Sequence, residues 1–164
     1  MPLEDKLKVA TIAISLLALL ISLLGWRNSR VSIRQSIKSS YMSALFDIDK
    51  QLINNPELWT IYDNFPIGLQ KSNDGKSLGQ RRAFIFYHLN LFEVTHTNYT
   101  RILYKNKADR EFWESMKAYM RQFLKCSTDA RIIFKEPTTQ ELYLPEFLKL
   151  MNEIVDEVDP KNLS

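Results

Sequence analysis

Residues 9–26 read VATIAISLLALLISLLGW, with no charged side chain and no helix breaker before Gly25. Eighteen residues in a helix span about 27 Å, close to the ~30 Å hydrocarbon layer of a bilayer. The stretch is apolar around its whole circumference, interrupted only by Thr11, Ser15 and Ser22. Their hydroxyls can bond back to the carbonyl one turn earlier, which makes them tolerable in lipid. Trp26 falls at the far end, where an indole prefers the headgroup zone. A cleaved signal peptide fits poorly, because the run is long and ends in Leu-Gly-Trp-Arg rather than an A-x-A-like site. An interfacial helix needs a polar face, and this one has none. A core helix of a soluble protein is the remaining alternative at this length. The stretch reads as a spanning helix.

Charge sets the expected direction. Before the span, Glu4 and Asp5 offset Lys6 and Lys8; after it come Arg27, Arg30, Arg34 and Lys38, with no acid until Asp47. Lysine and arginine near a span stay on the cytoplasmic side, so the N-terminus is expected outside and the body in the cytoplasm. The same four residues are the expected contact with membrane lipid, each worth on the order of 1 kcal/mol beside an anionic leaflet.

Beyond Trp26 lie 138 of the 164 residues, enough for one compact domain. The expected organisation is a short extracytoplasmic N-terminus (1–8), a transmembrane helix (9–26), a basic juxtamembrane helix (27–54), a helical bundle (55–159) and a tail (160–164). The net charge of +3 resides in residues 27–50, which hold five basic residues and two acids, while residues 51–164 carry fifteen of each sign. A neutral body argues against nucleic acid as a partner. Cys126 is the only cysteine, so no internal disulfide forms, and it reads as a packing residue suited to a reducing compartment.

Ile37, Tyr41, Leu45, Ile48 and Leu52 recur at helical spacing, so the apolar helix is expected to continue to Asn54. This stripe can pack on the chain's own bundle or on a second copy, and residues 31–54 are the expected self-association segment. Asn55-Pro56 reads as a cap and restart for a short helix to Tyr62. Gly68–Gly79 holds three of the four glycines and reads as a loop. Its Gly75-Lys76-Ser77 is not a phosphate-binding loop, because the first glycine of that motif is missing. Residues 80–105 read as a helix with a stripe of Phe84, Leu91, Thr95 and Ile102, with His88, Phe92 and Tyr99 beside it, and a first half apolar nearly all round as in a central helix. Asp109 reads as the cap of a third helix that points Phe112, Met116, Tyr119, Met120 and Phe123 inward. Ser127 or Thr128 opens a short helix ended by Pro137. A loop over 137–144 leads to Pro145 and a last amphipathic helix. No segment alternates as a strand does. The fold class is all-α: a transmembrane helix continuing into a bundle of four to five helices.

Chemistry is harder to find. Glu93-x-x-His96 has the spacing used in di-iron bundles, but the only other histidine, His88, has Ile85 where a second glutamate is needed. His88 and His96 lie about 12 Å apart on one helix, too far to share a metal. No metal, cofactor or catalytic residue is therefore assigned. Asn90, Glu93, Thr97 and Arg101 form a polar strip. If the helix is central, Glu93 is buried and needs a cation such as Arg101 or Arg131; if not, it is a surface residue. Asn90, Glu93, Arg101 and Arg131 are thus the candidate polar network.

The pattern FYHLNLFE around Asn90 and Glu93, followed by Trp113, Arg131 and Tyr143-x-x-x-Phe147, resembles a group of uncharacterised prokaryotic proteins. These have one N-terminal membrane helix and a helical cytosolic domain of unknown function. The resemblance spans roughly residues 10–155 in layout and implies a frequent tryptophan near Phe134. It supports the topology and implies no activity. The leading expectation is a non-enzymatic, membrane-anchored interaction or signalling module with a protein partner still to be identified. The rivals are a tethered enzyme or small-ligand binder with a pocket near Asn90, Glu93 and Arg131, and a membrane-perturbing effector of bacterial defence or competition.

Overall fold

The computed structural model describes residues 2–65, 75–103 and 106–159, and every element among them is helical. Helix α1 runs Leu3–Asn54, followed by a 3₁₀ segment Pro56–Ile61, α2 Gly75–Arg101, α3 Lys107–Cys126, α4 Thr128–Lys135, the single turn α5 Pro137–Gln140, and α6 Pro145–Val158. The all-α expectation holds. The chain divides into two compact units, residues 1–40 and 41–164.

The first unit is helix alone. Its most apolar 18-residue window has a mean hydropathy of 1.9, and none of that window is buried. Leu16, Leu17, Leu19, Leu20, Ile21, Leu23 and Leu24 each expose more than half of their surface. The helix is long and apolar enough to cross a membrane. Thr11 Oγ1 donates to the Leu7 carbonyl at 3.0 Å and Ser15 Oγ to that of Thr11 at 2.9 Å, so these hydroxyls are satisfied within the helix.

The second unit is a packed bundle. Of the stripe expected from Ile37 to Leu52, the part from Tyr41 on is its first wall: Ile48 and Leu52 are buried in the core, with Tyr41 and Leu45 packed against it. Tyr41 meets Phe112 of α3 edge-on at 5.1 Å. Helix α2 is central, and Ile85, Leu89 and Phe92 have no exposed surface. Met116, Met120, Phe123 and Leu124 of α3 join Phe147, Met151, Ile154 and Val155 of α6 in the same core. Fully burying a side chain of this size contributes about 1.5–3 kcal/mol, so some twenty of them supply the gross driving force for this unit.

Several expectations need correction. Helix α2 begins at Gly75, so the segment from Gly75 to Gly79 is helical rather than loop, while positions 66–74 of the expected loop lie outside the described residues. The buried face of α2 runs through Arg81, Phe84, Ile85, His88, Leu89, Phe92, Thr95 and His96. Leu91 is only half-buried and Ile102, beyond the end of the helix, is exposed. The inward face is therefore rotated from the expected stripe, because neighbours on several sides select it. Helix α3 is capped by Asn106, whose side chain accepts from the Asp109 N–H at 2.8 Å; Asp109 is a buried first-turn residue. The Asn55 side chain donates back to the Gln51 carbonyl at 3.1 Å and caps nothing, leaving Pro56 to start the 3₁₀ segment. Ser127 caps α4 as expected, and the 137–144 stretch contains the turn α5.

Candidate functional site

Asn90 and Glu93 lie one turn apart on α2 and face the start of α6. Tyr143 Oη donates to Asn90 Oδ1 at 3.1 Å, and the Leu144 N–H donates to Glu93 Oε1 at 2.8 Å. Leu144 is the N-cap position of α6, so a carboxylate sits where that helix dipole favours negative charge. Burial, with a contribution from Glu93, pushes the Tyr143 hydroxyl up to about 12. Glu93 is half-buried, and its partner is a backbone amide rather than a cation. It also lines a cleft of about 330 Å³ with Val94, Thr97, Asn98, Leu142 and Leu144.

The expected four-residue network does not assemble. Among the described residues Arg101 pairs with Glu146, at 3.7 Å between two exposed side chains, a pair worth at most about 1 kcal/mol. Arg131 belongs elsewhere. It donates to the Leu124 carbonyl, to that of Lys125 at 3.1 Å and to Thr128 Oγ1 at 2.7 Å, and lies 3.9 Å from Asp63. The reason is chain geometry: α4 turns back at Ser127, which aims Arg131 at the end of α3 rather than at α2.

That junction is densely hydrogen-bonded, and sequence reasoning missed its centre. The Asp63 carboxylate accepts from the Thr128 N–H at 3.0 Å and from Thr128 Oγ1 at 2.9 Å, while the Asp63 N–H donates to the Cys126 carbonyl at 2.7 Å. Ser127 Oγ donates to the Ile61 carbonyl at 2.7 Å and accepts from the Ala130 N–H at 3.1 Å. The last carbonyls of α3 and the first amides of α4 are thereby satisfied at once. The arrangement is structural: its donors and acceptors are matched within the protein.

Three further clefts open on the bundle. Arg81, only 2% exposed, lies 3.9 Å from Asp129 and donates to Ser77 Oγ at 2.8 Å. Arg82 forms a bidentate pair with Glu136, whose carboxyl that hydrogen bond holds below the usual range. Arg81, Arg82, Asp129 and Glu136 line about 540 Å³ with Leu78, Ile85, Ile132 and Ile133, and each arginine is matched by an acid. A second space of about 560 Å³ lies among Asp47, Gln51, Asn55, Leu58, Gln80, Ala83, Phe84 and Tyr87. The third is aromatic, about 280 Å³ beside Trp59, Tyr62, Tyr119 and Phe123. Cys126 lies at its edge, half-buried, accepting from Gln122 Nε2 at 3.1 Å.

Both histidines are in the core. His88 stacks on Phe123 with centroids 4.3 Å apart, and its Nδ1 lies 2.9 Å from the Phe84 carbonyl, where it must donate. Burial lowers its pKa to about 4, opposed only in part by that bond, so it is neutral. His96 packs against Trp113 and Phe147, and burial lowers its pKa too. No group of three or more metal-ligating side chains occurs among the described residues.

On α1, Arg27, Arg30, Arg34 and Lys38 fall within an arc of about 80°. The Arg30 guanidinium lies over the Trp26 ring, 3.5 Å from its centroid. No protein-family model, curated protein or solved structure matches this chain. Functional reading therefore rests on residue chemistry alone.

Proposed function

We propose that the chain is a single-pass membrane protein whose helical bundle acts through binding rather than catalysis, as an interaction or signalling module. The observation that carries this is the bare apolar helix. A contiguous greasy surface of this length, with none of its best window buried, requires an apolar environment. Ten Val, Ile and Leu residues in 9–26 favour insertion by about 3–6 kcal/mol on an insertion scale. The charge asymmetry supports the N-terminus outside and the bundle in the cytoplasm. The aromatic–arginine stack at Trp26 and Arg30 suits the interfacial zone, where both side chains bury apolar surface and keep a polar edge wet. The resemblance to prokaryotic proteins of the same layout belongs to this proposal, as does a bacterial inner membrane.

Self-association through residues 31–54 is part of the reading, on a different face from the one periodicity selects. Ile48 and Leu52 are committed to the chain's own core, whereas Met42, Phe46 and Ile53 are 46%, 65% and 75% exposed. These three lie within an arc of about 40° and offer an apolar seam to a second copy. Fractionation tests the anchor: after alkaline carbonate washing, full-length protein is expected in the pellet, and recovery in the supernatant without detergent sinks the proposal. Fluorescent-protein and alkaline-phosphatase fusions at Ser164 test direction, the former being active and the latter inactive if the bundle is cytoplasmic. Cross-linking through Phe46→Cys, in a Cys126→Ser background, tests the seam; a strict monomer overturns it.

A further inference from the structure

The faces of α1 differ in charge, in side-chain size and in what covers them. Arg27, Arg30, Arg34 and Lys38 share one side, and the Arg30 guanidinium is held there over Trp26, 3.5 Å from the ring centroid. About 130–170° away, at 100° per residue, runs a line of Ser29, Ser32, Ser36 and Ser39, all exposed. The same alternation of four and three residues extends back through Thr11, Ser15, Ala18, Ser22 and Gly25 of the apolar stretch. Small residues in one line let two helix backbones approach closely, the packing that drives helix pairing in lipid. Thr11 and Ser15 donate their hydroxyl protons to carbonyls of their own helix, so neither leaves a donor to satisfy there.

Within the second unit the alternation runs on through Ser43, Phe46, Lys50 and Ile53, and Lys50 is the only charge on it between residues 11 and 53. Phe46 and Ile53 are 65% and 75% exposed. They lie about 120° from the face of Tyr41, Leu45, Ile48 and Leu52, which is committed to the chain's own core. The period itself is a further mark. A straight helix carries a seven-residue repeat around its axis by about 20° per heptad. A repeat held for about six heptads therefore keeps to a single line only against a helix with which it supercoils. Neither lipid nor water imposes that period.

Orientation and symmetry select the partner. Copies inserted in one direction present the same line at the same depth, small residue against small residue. The basic residues of both copies then stand on the outer sides, where like charges do not meet. We propose that α1 pairs in parallel and in register with α1 of a second copy along the line from Thr11 to Ser39, with Phe46 and Ile53 continuing the seam. This pairing rests on the single-pass reading above and extends its self-association into the bilayer.

Disulfide cross-linking of the full-length chain in native membranes, in a Cys126→Ser background, tests the pairing. Ser22→Cys and Ser36→Cys lie on the line, whereas Leu20→Cys and Val31→Cys face away from it. On oxidation the first two are expected to form linked dimers about fivefold more than the second two, and Ser36→Cys meets its own copy only in a parallel pair. Ser22→Leu with Gly25→Leu makes the segment more apolar yet is expected to lower the Ser36→Cys cross-link about tenfold. Ala13→Leu, on the far face, is expected to leave it unchanged. Equal cross-linking on both faces, none on the line, or a Ser36→Cys dimer untouched by that double variant overturns the pairing. Protein that stays in the carbonate-washed pellet and fails these tests removes the pairing alone; protein lost from the pellet removes the anchor, and the pairing with it.

Discussion

Leu19 and Leu52 belong to one continuous helix and carry the same side chain, yet Leu19 is 56% exposed and Leu52 only 5%. Residues 41–52 turn Tyr41, Leu45, Ile48 and Leu52 toward the bundle along one face, while Met42 and Phe46 on another stay exposed. The stretch from Ala10 to Gly25 is apolar on all faces and buries none of them. One pattern asks for a protein neighbour along a single stripe; the other asks for an apolar medium all round. The contrast teaches that helix formation is common to both regions, and that the distribution of apolar residues around the axis decides what covers them.

The contrast breaks most visibly in lipid. Replacing Leu19 by Arg and Leu20 by Asp together adds about 5–7 kcal/mol to insertion, which cancels the gain from the aliphatic residues. The carbonate-washed pellet is expected to lose most of the protein, while the bundle keeps its unfolding midpoint. On the other side of the comparison, Leu52→Ala leaves a void in the core and is expected to destabilise the bundle by about 2–4 kcal/mol in urea titration. Ile53→Ala, its exposed neighbour, is expected to shift stability by less than ~0.5 kcal/mol.

Acid acts on the bundle through a buried histidine. His88 has its pKa lowered from 6.5 to about 4 in the folded state, so the unfolded chain binds the proton first. Its contribution is whole above pH 6.5, is lost as pH falls toward 4, and amounts to about 3 kcal/mol at most. Urea midpoints between pH 7.5 and 4.5 measure this, and His88→Phe is expected to flatten the slope. Smaller still is Glu93→Gln, expected to cost about 1 kcal/mol through the weakened Leu144 N–H bond, with faster amide exchange at Leu144. Arg101→Ala is expected to change little, since its partner Glu146 is exposed.

How much was legible follows from the range of each interaction. The apolar stretch, the Tyr41–Leu52 stripe, the Ser127 cap and the inward face of α6 are local patterns, and all four are readable along the chain. Asp63 with Thr128 and Glu93 with Leu144 join residues 65 and 51 positions apart. No spacing rule reaches that far. Arg131 illustrates the limit: its charge invited pairing with Glu93, but the turn at Ser127 gives it backbone carbonyls and Asp63 instead. The buried face of α2 keeps Phe84 and Thr95 of the expected stripe and is turned toward His88 and Phe92 beside it, since a helix apolar nearly all round leaves its orientation to its neighbours.

The solitary thiol has a practical consequence. Cys126 is the chain's only cysteine and stands at the rim of the aromatic cleft, beside Tyr62 and Phe123. A fluorinated or nitroxide tag coupled there reports from that single place, with no second thiol to remove. The bundle thus carries its own spectroscopic handle on the packing of Trp59 and Tyr62 against the end of α3.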